Sequence, residues 1–504
     1  MKRMLTRINL VVATMMAMLA VGTSCSKDDD STPANPSVPG DAVAWSGTTI
    51  GDGSDAFEVK GKYVIKKGVY SLKGWVYVTS GSELYIEPGT VVKGDKATKA
   101  TLIVEPGAKI FAEGTQAQPI VFTSAQAPGS RKPGDWGGLV ICGKAKNNLG
   151  QMTIEGGLRT QHGGTDDNDN SGKIRYVRIE FGGYPFATDQ EINGLTMGSV
   201  GRGTTIDHVQ VSYSNDDSFE WFGGAVNCKN LVAYHGWDDD FDTDNGFSGK
   251  MQYLLGVRNP KIADQSVSNG FESDNNASGS TAEPFTSAVF SNVTFIGPIG
   301  QDAQFANNTT YINGANLNPN NGSRLGQFQA AFQIRRNSHL NVFNTVATGY
   351  PVGIMIENDK GSATQAAATA GKLTVQNVFF AGMTALGSDK NKTWLDQLST
   401  DGTNLDATKP SFSNGYFSRT GGNNTNLAAI ADLKLKQPNS TVASPNYGPS
   451  AGSPLVGKSN LFTNALLQDA WFDKVDFIGA FKSDSDADNW MKGWTNFDPQ
   501  NTVY

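Results

Sequence analysis

The chain has 504 residues, 58 of them glycine, with 48 acidic against 41 basic side chains and a formal charge of −7. That balance works against a polyanionic partner and excludes nucleic acid as the expected ligand. Three cysteines make no disulfide framework, and the scarcity of long amphipathic helical patterns excludes an all-α body.

In chain order, Lys2, Arg3 and Arg7 precede an apolar run from Leu10 to Ala20, too short to cross a ~30 Å bilayer. Small residues then lead to Cys25. Residues 1–24 read as an export signal, and the segment before Cys25 resembles a lipobox, although Val21-Gly22-Thr23-Ser24 is looser than usual. Cys25 is then the lipidated N-terminus, held in a membrane by several acyl chains, since one chain binds only marginally. Ser26-Lys27-Asp28-Asp29-Asp30 resembles the export tag of Bacteroidota surface lipoproteins, which implies an outer-membrane protein facing the cell exterior. The Pro-, Ser- and Asn-rich stretch that follows completes a flexible tether over residues 25–44. Loss of the signal removes three cations and no acids.

Leu84-Tyr85-Ile86-Glu87-Pro88-Gly89 is echoed 18 residues later by Leu102-Ile103-Val104-Glu105-Pro106-Gly107. Each is an alternating strand closed by a Pro-Gly turn. A second pattern runs through the middle, in Tyr176-Val177, His208-Val209, Asn230-Leu231, Tyr253-Leu254, Asn292-Val293, Asn344-Thr345 and Asn377-Val378. A polar residue, often Asn, opens each short strand, and stacked Asn side chains can hydrogen-bond along a ladder. The intervals vary while the strand motif persists, which predicts loops inserted on a fixed stack. Hairpin signals do not alternate with the strands, so parallel coils fit better than a propeller or sandwich. Cys142 and Cys228 lie in apolar strand-like contexts and read as small buried hydrophobes.

With these strands the sequence resembles parallel β-helix proteins of the pectate-lyase-like class, and more narrowly a group of Bacteroidota β-helix lipoproteins. The resemblance covers roughly residues 45–504 and implies an all-β fold, a single right-handed parallel β-helix over residues 45–460. Gly452–Gly457 and Asp476–Phe481 resemble a final coil. Residues 461–504, with Trp490 and Trp494, are expected to cap its open edge, as solenoids require.

A second strand per unit aligns Phe219-Glu220-Trp221-Phe222, Phe241-Asp242-Thr243-Asp244, Phe271-Glu272-Ser273-Asp274, Phe332-Gln333-Ile334-Arg335 and Ile354-Met355-Ile356-Glu357. Strand side chains alternate faces, so the Phe column and the third column point into the coil and the others outward. Carboxylates on adjoining coils then lie ~4.8 Å apart, close enough to repel by about 1 kcal/mol in water and more in a low dielectric. They need a cation, protonation or intervening bases. Asp242, Asp244, Glu272 and Asp274 are the candidate Ca²⁺ ligands, with Arg335 the competing neutraliser. The acids of Asp166-Asp167-Asn168-Asp169 lack the closing Glu and flanking helices of an EF-hand and read as a solvated loop.

Function stays open between three classes. A long sheet face with Phe222 and Trp237 exposed would suit an extended polysaccharide, and surface lipoproteins of this kind serve capture beside an outer-membrane nutrient transporter. A spacer or adhesin without a small ligand is the second reading. For the third, Asn215-Asp216-Asp217 followed by Asp238-Asp239 resembles the polygalacturonase arrangement, which implies an acid/base set of Asp217, Asp238 and Asp239. The Gly-His-Gly and Arg-x-Lys motifs of that family are missing. Arg335 is the candidate base of a Ca²⁺-assisted lyase.

Overall fold

The computed structural model describes residues 38–187, 190–361, 363–437 and 444–504. Cys25, the Lys27–Asp30 segment and the signal lie outside the described residues. Among those described, no helix is long and apolar enough to cross a membrane.

Two parallel sheets, of eighteen and eleven strands, wind as one right-handed β-helix. Among the described residues every strand pairing between coils is parallel; the antiparallel strand pairs are loop hairpins such as Met152–Thr153 with Gln161–His162, and isolated antiparallel bridges join Asp264 to Leu325 and Leu435 to Pro449. A coil visits the long sheet twice and the eleven-stranded sheet once. The bend between the two long-sheet segments falls on the column that opens the repeated strands. Tyr176, His208, Asn230, Tyr253, Asn292, Asn344 and Asn377 all adopt φ between 49° and 63°. A left-handed residue costs roughly 1–2 kcal/mol unless it is Gly or, with local hydrogen bonding, Asn. That explains the recurring Asn more directly than laddering does, although Asn377 Nδ2 does donate to Asn344 Oδ1 at 3.1 Å.

Interior columns are continuous. Val177, Val209, Leu231, Leu254 and Val293 pair in sequence, as do Ile174, Ile206, Cys228, Met251 and Phe290. Cys228 is therefore one rung of an apolar stack, and both cysteines are free and buried. In the eleven-stranded sheet Phe219, Phe241, Phe271, Phe332 and Ile354 pair in the predicted register and are wholly buried. The 18-residue echo is not a coil. Leu84 pairs with Ile110, while Leu102 pairs with Val76 and Leu139 in the other sheet. The two Pro-Gly turns occupy different corners.

The ends depart from expectation. Trp45 packs edge-on against Phe57 and Tyr63 at the first coils. The last coil is covered by the helix Phe412–Phe417, capped by Ser411, whose Phe417 stacks on Phe380 at 4.5 Å. Residues 476–504 are not the cap. They run back along the outer face of the long sheet, where Asn292 Nδ2 donates to Phe477 O, Gln210 and Asn496 exchange two bonds, and Tyr504 reaches Glu180. Trp494 is buried there against Tyr176 and His208, and Phe477 stacks near Tyr253. These rings cover the three bend positions that are not Asn. The aromatic tail is a lateral clasp because those outward rings offer the largest apolar surface left by the coils.

Candidate functional site

The chain enters the eleven-stranded sheet through corners that are short at residues 213–218 and 235–240 and carry insertions at 258–270 and 297–329. Two successive corners carry Asp216-Asp217 and Asp238-Asp239-Asp240. Backbone bonds lock them together: Asp239 N donates to Asp217 Oδ1 at 2.8 Å, Ser218 N to Asp239 O at 2.9 Å, and Asn269 N to Asp239 Oδ1. Asp240 turns inward to a fully buried pair with Arg258 Nη1 at 2.8 Å, and Tyr350 OH donates to it. A charge so deep persists only because it is paired and hydrogen-bonded.

Outward from the next strand positions come Glu220, Asp242 and Glu272, which pair in register. Corners and strands together form the floor of a cleft of about 930 Å³. Inserted loops from both edges of the sheet wall it, contributing Glu155, Phe186, Asp264, Asn321, Arg324 and Lys392. Nine carboxylates line the cleft against four basic side chains. Two groups are tightest: Asp216, Asp217 and Asp238, and Asp217, Glu220 and Asp242, each with oxygens within 4.8 Å of one another. Asp217 belongs to both.

Burial dominates the electrostatics. It pushes Asp217, Glu220, Asp238 and Asp242 well above the ordinary carboxylate range, and neighbouring acids push each further. Asp239 rises only to about 6, because burial is opposed by the Asn269 N–H and by the charges of Arg258 and Arg335. Asp244 rises to about 8 through burial and the nearby Asp274. Glu272 also reaches about 8, burial and acidic neighbours outweighing Arg335. Glu357, buried farther along the stack, reaches about 7.

The ladder changes character at the coil of Phe332. Arg335 Nε meets Asp274 Oδ1 at 2.8 Å and its Nη2 meets Glu272 Oε1, while Arg336 Nη1 reaches Asp274 Oδ2 at 2.5 Å. Asp242, Asp244, Glu272 and Asp274 share one face of adjoining coils as expected, but two of the four are taken by arginine. None of Asp244, Glu272 and Asp274 belongs to a tight carboxylate group among the described residues. Arg335 is an ion-pair partner of both acids.

The proposed stacking platform is corrected. Phe222 packs under the 143–171 loop with Ile154 and Ile192, and Trp237 is 0 % exposed with its indole N–H directed at Arg324 O. Neither ring is presented to a ligand, because inserted loops fold over the positions that the strand alternation marks as outward. The three acids Asp217, Asp238 and Asp239 do converge. Sequence reading of the site left out Asp216, Glu220, Glu155, Asp264, Arg324 and Lys392. The first two stand beside named residues. The rest come from loops, whose only signal is the length of the insertions.

Residues 58–428 match the Pectate-lyase like beta helix domain. No curated protein matches the chain. Among solved structures it resembles the Dettilon tailspike protein, at 11 % identity and a TM-score of 0.28, over 65 % of this chain and 61 % of that one. A likeness of that size bears on neither site nor chemistry. The match to the domain spans most of the chain, which therefore belongs to the pectate-lyase-like β-helix family.

Proposed function

We propose that this β-helix binds an extended polysaccharide along the acidic cleft and processes it there. The carrying observation is the convergence of Asp216, Asp217, Glu220, Asp238 and Asp242 in one walled depression. A rigid parallel stack holds such groups without loop reorganisation. The environment separates the acids as acid–base chemistry needs. Burial and the charges of Asp239, Asp264 and Asp216 push the Asp238 carboxyl well above its ordinary range, the direction a proton donor to a leaving oxygen needs. Asp239, at about 6, is the ionised partner at neutral pH. Release of new reducing ends from a polysaccharide panel tests processing, and Asp238→Asn should abolish it. Binding of a glycan array without cleavage by any member would leave a binder.

A second reading places Ca²⁺ in the same cleft. An all-carboxylate oxygen set suits a hard divalent cation, and Asp217, Glu220 and Asp242 would hold it, with Glu272 and Asp274 engaged by arginine. Bound Ca²⁺ would neutralise the cleft and bridge to an anionic polymer. Calorimetric titration of Ca²⁺ into chelator-stripped protein tests it. The sequence before residue 38 supports display on the outer membrane through lipid at Cys25, beside a nutrient transporter. Fatty-acid labelling of wild type against Cys25→Ala checks the anchor, and equal labelling of the two would refute it.

A further inference from the structure

We propose that the acid floor is a subsite for a positively charged sugar, so that the polymer is amine-bearing and supplies the cation itself. This deepens the reading of the cleft as a polysaccharide site and rests on it. Two carboxylates of the floor, Asp238 and Asp242, each keep a buried oxygen without a donor among the described residues. Asp217 and Glu220 are only 7 % and 6 % exposed. Each has one oxygen engaged, by Asp239 N and by Asn193 Nδ2. Asp238 Oδ1 and Asp242 Oδ1 are buried with no hydrogen-bond partner. Buried acceptors left this way are costly, and two in one cleft point to a missing donor.

The next coils show what kind of donor this face takes. Where the ladder reaches Glu272 and Asp274, the chain supplies guanidinium N–H groups from Arg335 and Arg336. Over Asp217, Glu220 and Asp242 it supplies none. An ammonium brings three donors, and Asp217, Glu220 and Asp242 present three carboxylates. Three acceptors around one nitrogen at charge-assisted distance stand about 4.6 Å apart, within the 4.8 Å limit of both groups. Ca²⁺ asks for six to eight oxygens, which three carboxylates reach only by binding through both oxygens each, and one oxygen of Asp217 and one of Glu220 already accept bonds from the chain. The surplus of carboxylates over basic groups also repels a bare polyanion.

The test uses calorimetry on the full chain with glucosamine oligomers, their fully N-acetylated counterparts and oligogalacturonate, each in EDTA and in CaCl₂. The amine oligomer should bind in EDTA at least tenfold more tightly than the acetylated one, with the preference shrinking as salt is added. Asp217→Asn and, separately, the half-buried Asp238→Asn should bring the two oligomers toward parity, with native circular dichroism checked for each. Equal binding of both oligomers overturns the amine assignment and leaves the polymer cleft standing. Binding confined to oligogalacturonate with Ca²⁺ assigns the cation to a metal and overturns it too. No binding of any oligomer overturns this inference and the cleft reading together.

Discussion

The two halves of the outward ladder share an interior and differ in what faces them. Under both runs the same Phe column, from Phe219 to Phe332, is fully buried in register. Above the later half, Arg335 and Arg336 neutralise Glu272 and Asp274. Above the earlier half, Asp217, Glu220 and Asp242 crowd together, and the neighbouring charges that act most on each are acidic. The interior is common to both halves, and the difference lies in the charges outside it.

The largest effect should come from the interior. Phe241→Ala and Phe271→Ala each remove a buried ring and should cost ~3–5 kcal/mol in urea unfolding. Comparable losses on both sides of the boundary are expected, and a large difference would mean that the halves differ in packing as well as charge. Next comes the clasp. Trp494→Ala strips the cover from Tyr176 and His208, and unfolding of those coils should precede loss of the later ones in hydrogen exchange.

A smaller effect is pH dependence. Asp239 rises to about 6, and Asp244 and Glu272 to about 8. Each folded value lies above its unfolded one, near 3.9 for Asp and 4.3 for Glu. The unfolded chain therefore releases protons that the folded chain keeps. This stabilisation is complete below about pH 4 and is lost progressively as pH rises toward about 8. In EDTA the melting temperature should fall from pH 5 to pH 8, and a flat profile would show that the acids titrate normally. A cationic ligand should recover much of the loss at pH 8.

The period-two alternation made the Phe column legible, because strand geometry alone assigns it to the interior. Alternation also placed Asp242, Asp244, Glu272 and Asp274 on one face. It failed for Phe222 and Trp237, since outward from a strand means exposed only when no loop lies above, and loop paths leave no periodic trace. The Glu-Pro-Gly echo is silent for a related reason: a turn motif reports a corner and not which corner, and its two copies fall in different sheets. The clasp was hidden because its partners are distant in sequence. The chain's aromatic end reads as apolar, but nothing local says whether it covers an end or a side.

The central claim is that one ladder is neutralised by the chain in its later half and left for a ligand in its earlier half. Thermal unfolding of Asp274→Asn and Asp242→Asn at pH 8 in EDTA tests it directly. Asp274→Asn breaks charge-assisted bonds to two arginines and should cost about 1.5–3 kcal/mol. Asp242→Asn removes an acid that only repels and should leave stability unchanged or raised by up to ~1 kcal/mol. If Asp242→Asn destabilises as much as Asp274→Asn, the earlier half is already balanced within the chain, and the account is wrong.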